Sequence, residues 1–293
     1  MTKSGDLSIN VSRDLGAVIV TVLGELDVYG AARLGAELAD LIEGQGNMTV
    51  VVDLRHTDSV DPAGLGVFGE AAELVRRSGG HLTFSGASDD VYEAVAGHLP
   101  ASMMTRRHVA APDGTTRSRN HTVEFYESDE LLAESVRDYV EPALREDDAV
   151  VVVATTPHRA LFEAALTAAG IDVPEARRAD RYIDLDTEET LSLFMVDGAP
   201  DPIRFEIAFT RVLARATGAD RAVRVYGEMV AVLWHRGNIT GAVALEDLWA
   251  ELGRSQRFSL FCSYPLAALD RLDMAESFHR ICDQHSTVIP TRH

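Results

Sequence analysis

Glu228 sits between the apolar runs VRVYG (223–227) and MVAVLW (229–234), where a carboxylate has few neighbours able to satisfy its charge. Arg224 and a bound ligand are its candidate counter-groups. A partly desolvated carboxylate can hold the polar end of a small molecule or exchange protons with it. Comparable polar residues close four other strand-like runs. They are Tyr126-Glu127-Ser128-Asp129, Thr155-Thr156-Pro157-His158-Arg159, Asp184-Leu185-Asp186 and Ser263-Tyr264-Pro265. If the strands run parallel, these side chains share one edge of a sheet, which is where open parallel sheets hold ligands. The candidate ligand-binding residues are therefore Tyr126, Glu127, Thr156, His158, Arg159, Asp184, Asp186, Glu228 and Tyr264. Asp129, Thr156 and Asp186 are equally suited to capping helices, and a Glu in a first helical turn is favoured by the helix dipole.

Other chemistries leave weaker traces. An enzyme acting on a small organic substrate would use Glu228 as acid or base, supported by His158 or His235. No Ser/His/Asp or Cys/His order stands out, so no catalytic residue is assigned and the chain is expected not to be an enzyme. His279, Cys282 and His285 recur every third residue, which a helix brings towards one face. Their spacing fits no standard zinc pattern, and a docking helix explains them as well; neither a metal nor a cofactor is expected. Trp234 and Trp249 have apolar neighbours and read as core.

Alternating elements must position these residues. Residues 1–104 read as a small αβ domain. Its strands are expected at 16–24, 48–54 and 81–86, and its helices at 31–44, 63–77 and 89–99. Residues 105–120 carry Pro112, Gly114 and a Thr/Ser cluster without hydrophobic period, and read as a linker. Residues 121–293 read as a larger domain with a mostly parallel sheet and helices on both faces. Its strands are expected at 122–126, 149–155, 181–185, 222–227 and 258–264. The fold class is α/β throughout.

Composition narrows the function. Lys3 is the only lysine among 293 residues, which removes a P-loop NTPase, a pyridoxal phosphate enzyme and a protein kinase at once. The net charge is −19, and both large segments are acidic, so direct nucleic-acid binding is not expected. No run approaches the roughly 18 apolar residues of a membrane helix, and MTKSGDLSIN lacks the apolar core of a signal peptide. Two cysteines without a CxxC spacing make no disulfide framework. A cytoplasmic protein without membrane contact is expected; a homodimer stays open.

Asp61 followed by Pro62 and an apolar helical pattern is an N-cap with proline at the first helical position. Together with Gly24-Glu25-Leu26-Asp27, Asp53-Leu54 and Asp61-x-x-Gly64-Leu65-Gly66, it resembles the STAS domain of anti-sigma-factor antagonists over roughly the first third of the chain. The resemblance implies a protein partner, an anti-sigma factor of the histidine-kinase-like ATPase type. It places the docking surface at Asp27, Asp61, Pro62, Ala63, Gly64 and Leu65. In that family the two residues after the Asp are typically serines, one of which is phosphorylated to release the partner. Here they are Pro62 and Ala63, which cannot carry phosphate. Thr57 and Ser59 precede the helix at the wrong spacing and read as polar residues closing a strand.

The stretches HTVEFYESDELL, YIDLDTEETLSLFMVDGAPD, RVYGEMVAVLWHRGN and FSLFCSYP, with the tail ICDQHSTVIP, resemble the MEDS sensory domain across most of residues 121–293. That resemblance implies a RecA/KaiC-like fold turned to sensing small carbon-containing ligands in bacterial regulators. The phosphate-loop position would fall at Tyr126–Leu131, which has neither a Gly-rich run nor a Lys, so ATP hydrolysis is not expected. The two resemblances together imply a non-catalytic signalling regulator with a small-molecule-sensing domain.

Overall fold

The structure, a computed structural model, describes residues 7–47, 49–100, 103–106, 121–218, 221–266 and 285–289. The chain divides into two compact units, Met1–Val109 with Pro202–Ile207, and Ala110–Asp201 with Ala208–His293.

The first sheet has the order β1-β2-β3-β4-β5. Strands β1 (Ser8–Asp14) and β2 (Ala17–Leu26) form an antiparallel hairpin. Leu15 and Gly16 both take positive φ, 47° and 74°, as a two-residue I′ turn requires. From β2 onward the sheet is parallel through β3 (Thr49–Val60), β4 (His81–Ala87) and β5 (Met104–Arg106). The helices of this unit are α1 (Val28–Ala39), α2 (Pro62–Ser78) and α3 (Asp89–Ala96), and α1 runs on into a π-helical turn at Asp40–Gly44. Val20, Val52 and Phe84 from the strands bury against Leu34 of α1 and Phe68 of α2.

Every strand and helix expected in residues 1–104 is present, whereas β1 and β5 were not anticipated. SINVSRD is an exposed, largely polar edge strand without an apolar run to announce it. Strand β5 takes Thr105 and Arg106 from the expected linker, because the backbone beside β4 finds its hydrogen bonds there. The remainder of that linker, 107–120, lies outside the described residues.

The second unit runs β6 (His121–Tyr126), α4 (Asp129–Arg145), β7 (Ala149–Ala154), α5 (Thr156–Ala168), α6 (Val173–Arg178), β8 (Tyr182–Asp186) and α7 (Thr187–Phe194). A small hairpin of β9 (Met195–Val196) and β10 (Ala199–Pro200) follows. The chain then continues through α8 (Pro202–Thr217), β11 (Val223–Gly227), α9 (Met229–His235), α10 (Ile239–Ser255), β12 (Ser259–Pro265) and β13 (Thr287–Ile289).

Its main sheet has the order β13-β6-β12-β11-β7-β8, and every pairing in it is parallel. Strand β7, AVVVVA, flanked by β11 and β8, is buried along its whole length, as a strand covered on both faces must be. Strand alternation assigns the faces. Val150, Val152, Tyr226 and Phe261 pack against α4, α5 and α6. Cys262 and Tyr264 have the opposite parity and meet α10. No helix among the described residues is long and apolar enough to cross a membrane.

Candidate functional site

Strands β7 and β11 are neighbours in the sheet, with Gly227 opposite Val153. Their carboxyl ends bring the turn at Thr155–His158 beside Glu228. Glu228 is 3% exposed, and its backbone N–H donates to Val153 O at 3.1 Å. Its Oε1 accepts the backbone N–H of Thr155, and its Oε2 lies 2.5 Å from His158 Nδ1. The far side of the same imidazole faces Asp129 at the start of α4, with Nε2 at 3.3 Å from Oδ1. The hydrogen bond to Glu228 raises the His158 pKa above its ordinary value, and the charges of Glu228 and Asp129 add to it against the effect of burial. The result favours an imidazolium clasped by two carboxylates. Tyr126 stands edge-on to this ring at 6.5 Å between centroids. Its phenol is held neutral by burial and then by the charges of Glu228 and Asp129. Beneath the pair, Tyr226 OH lies 3.5 Å from Glu228 Oε2 and 2.7 Å from Ser263 Oγ.

A second, adjoining group forms where α5 starts beside the end of β8. Thr156 Oγ1 donates to Asp186 Oδ2 at 3.0 Å, and Arg159 reaches the same oxygen at 3.1 Å. Asp186 also caps α7 by accepting the N–H groups of Glu188 and Glu189. Asp184 lies 3.7 Å from Arg159 but is gripped more closely by Arg177, whose Nε donates at 2.8 Å. Arg177 also pairs with Glu163. Asp184 and Asp186 are thus largely satisfied by protein groups.

The structure therefore gathers Tyr126, His158 and Glu228 in one group, and Thr156, Arg159, Asp184 and Asp186 in the next. Glu127 is exposed in the turn after β6. Tyr264 stands apart: it is buried, and its hydroxyl donates to Glu246 of α10 at 2.7 Å. Its parity in β12 turns it to the sheet face opposite Ser263. Arg224 is not the counter-group of Glu228. Four residue steps of about 3.3 Å each along the strand separate the two; Arg224 lies over the Tyr139 ring and donates to Tyr139 O at 2.7 Å. His235 is exposed at the far end of α9. Trp234 and Trp249 are buried and pack on aromatic rings, as a core role requires.

A group that sequence reasoning did not assemble lies on the α10 face. His121, Glu246, Cys262 and His285 are all buried, and one donor atom from each falls within 4.8 Å of the others. His285 shares its three-residue spacing with His279 and Cys282, which lie outside the described residues. Burial pushes the Glu246 carboxyl up to about 8 and the Cys262 thiol well up. Burial, and then the neighbouring His285, pushes His121 well down. The four residues come from four distant stretches of chain, and no local spacing links them.

In the first unit, Asp27 and Asp61 cap adjacent helices. Asp27 accepts the N–H of Gly30 at 2.8 Å, and Asp61 accepts those of Ala63 at 2.8 Å and Gly64 at 3.0 Å. Asp61 N–H donates to Leu26 O at 3.1 Å, which holds the two helix starts together. Gly64 is needed for close approach: a Cβ there would meet Leu26 Cδ2 and Val60 Cγ1 at 2.8 Å. Pro62 is exposed, while Ala63 and Leu65 are half-buried. Beside them, Val28 and Tyr29 are 56% and 80% exposed, an apolar pair that the sequence did not single out. Thr57 is buried and donates to Val22 O at 3.0 Å.

Comparison with known proteins follows the same division. Residues 9–97 match the Mlab, STAS domain model. An 84-residue stretch is 29% identical to the anti-sigma-B factor antagonist of Bacillus subtilis (strain 168), covering 29% of this chain and 75% of that protein. A crystal structure from Thermotoga maritima, of a protein classed as an anti-sigma factor antagonist, is similar over 30% of this chain and 75% of its own, at 19% identity and a TM-score of 0.29. The anti-sigma factor antagonist SpoIIAA in its unphosphorylated form is similar over 30% of this chain and 82% of its own, at 14% identity and a TM-score of 0.28. Residues 120–280 match the model of MEDS, the MEthanogen/methylotroph, DcmR Sensory domain. With more than half of its length in that match, the chain belongs to the MEDS family and carries a STAS domain ahead of the MEDS domain.

Proposed function

We propose that this signalling regulator works without catalysis, its MEDS domain binding a small polar organic molecule and its STAS domain docking an anti-sigma factor. The observation that carries the ligand site is the His158–Glu228 pair at the carboxyl ends of two parallel strands. This is the edge where parallel sheets receive ligands. A ligand acceptor can take the place of the exposed Asp129 at His158 Nε2, which Glu228 orients from the other side of the ring, and Tyr126 supplies an aromatic wall. The first turn of α4 carries Asp129 and Glu130, whose charges oppose a polyphosphate there. A ligand with a hydroxyl, amine or carboxyl on a short carbon skeleton fits these groups.

On the STAS domain, the surface around Asp61 and Pro62 is extended by Val28 and Tyr29. An exposed aromatic beside two capped helix starts suits a protein interface. The anti-sigma factor of the histidine-kinase-like ATPase type is the partner this surface is expected to take. Without a hydroxyl at 62 or 63, release of that partner would not follow the usual phosphorylation of this helix start.

The test is native mass spectrometry of the purified chain for a co-purifying small molecule, with a thermal-shift panel of short-chain alcohols, amines and carboxylates. Stabilisation by one chemical class, lost in His158→Ala, supports the site. Equal shifts in both proteins would overturn it. The same dyad could pass a proton, so turnover of any stabilising compound would favour the alternative, an enzyme using Glu228 as acid or base with His158 in support.

A further inference from the structure

We propose that His121, Glu246, Cys262 and His285 form a structural zinc site inside the MEDS domain. The donor set is one thiol, two imidazoles and one carboxylate, which suits zinc and matches no hard-cation site, where oxygen ligands dominate. Each of the four residues is no more than 2% exposed.

The geometry is close to that of a tetrahedral site. Zinc bonds of about 2.0–2.3 Å place tetrahedral ligands about 3.3–3.8 Å from one another. His121 Nε2 already lies 3.3 Å from Cys262 Sγ and 3.5 Å from Glu246 Oε2. His285 Nε2 is 3.9 Å from Glu246 Oε1, and the whole set falls within 4.8 Å. A shift of a few tenths of an ångström to about one ångström per side chain closes it around an ion.

The charges also balance. A thiolate and a carboxylate offset the two positive charges of Zn²⁺, while two neutral imidazoles complete the shell. Such a site buries no net charge. Glu246 Oε2 accepts no hydrogen bond from any described residue, a costly state for a buried carboxyl oxygen unless something else meets it. The other oxygen of Glu246 accepts the Tyr264 hydroxyl at 2.7 Å, the kind of supporting bond that orients a ligating carboxylate.

The fold explains what the ion would do. His121 opens β6, Cys262 lies within β12, Glu246 projects from α10, and His285 lies two residues before Thr287, the first residue of β13. Register places His121 opposite Leu260, so His121, Cys262 and Tyr264 share one face. Ser286 secures the same junction, its backbone N–H and its hydroxyl each donating to His121 O at 2.8 Å. Zinc held here would pin the returning C-terminal segment and α10 onto the sheet. With four protein ligands it would have no open position, so its role is structural and not catalytic. Tyr226 and Ser263 support the His158–Glu228 pair from the other sheet face. The zinc site is therefore separate from the proposed ligand site.

The experiment uses the full chain. Purified protein is analysed for metal, stripped with chelator and titrated with Zn²⁺ alone, and with Co²⁺ as the spectroscopic substitute. We expect one zinc per chain and a higher melting temperature on re-addition. A cobalt–thiolate charge-transfer band should form in the wild type and be lost in Cys262→Ser. Tyr264→Phe, which keeps all four ligands, should weaken zinc about ten- to hundredfold. Should the variants fold poorly, protection of Cys262 from alkylation by Zn²⁺ in the wild type gives an independent answer. Metal-free protein whose melting temperature and Cys262 alkylation are unchanged by Zn²⁺ would overturn the proposal.

Discussion

The imidazole of His158, from the first turn of α5, stands 2.5 Å from the carboxylate of Glu228 at the entry to α9. Seventy residues apart in sequence, the two groups meet at the strand-end edge, and the consequences of their pairing can be measured.

Replacing Glu228 with Gln removes the charge while keeping the shape. The amide cannot match a carboxylate's bonds to both the Thr155 N–H and His158. We expect a folded protein destabilised by about 1.5–3 kcal/mol. The His158 pKa, followed by NMR, should fall towards its ordinary value. An unchanged His158 titration would show that Glu228 does not set it.

The same pair makes stability depend on pH. Its hydrogen bond to Glu228 raises the folded pKa of His158 above the ordinary 6.5. The folded state then holds a proton that the unfolded state releases sooner. The stabilising contribution is full below about pH 6.5 and is lost as the pH rises through the folded value. Urea midpoints across this range should fall with rising pH in the wild type and less steeply in His158→Gln.

Two substitutions at the start of α2 separate capping from packing. Asp61→Ala removes the acceptor for the Ala63 and Gly64 N–H groups and should cost about 1 kcal/mol. Gly64→Ala drives a methyl into Leu26 and Val60 and should cost about 1–3 kcal/mol. Chemical denaturation of the full chain measures both.

Incubation with an anti-sigma kinase should leave the α2 start without phosphate, because Pro62 and Ala63 lack hydroxyls. Thr57 is buried and hydrogen-bonded, whereas Ser59 is exposed. Phosphopeptide mapping is the measurement, and phosphate on Ser59 would reveal a relocated site.

MgATP should neither shift the melting temperature nor bind by calorimetry. Ser128 caps α4, and Asp129 and Glu130 occupy its first turn, so the turn after β6 presents negative charge and no glycine-rich cradle. Micromolar binding would contradict this.

Local pattern alone determined much of the protein. The buried runs AVVVVA and VRVYG, the helical periods between them and the Asp61-Pro62 start specify alternating elements, because burial and capping act over a few residues. The placing of Glu228 after an apolar strand was likewise legible. Its partner was not. Arg224 is nearer in sequence, but strand geometry carries it to Tyr139, and only the parallel pairing of β7 with β11 delivers His158. The polar edge strand β1 gave no signal, since its bonding is supplied by β2 and not by its own composition. Tyr264 shows the limit most plainly. Its position at a strand end suggested the ligand edge, yet side-chain alternation turns it to α10, where it meets Glu246 beside His121, Cys262 and His285. Those four residues converge through sheet register and helix packing, which no short stretch of the chain encodes.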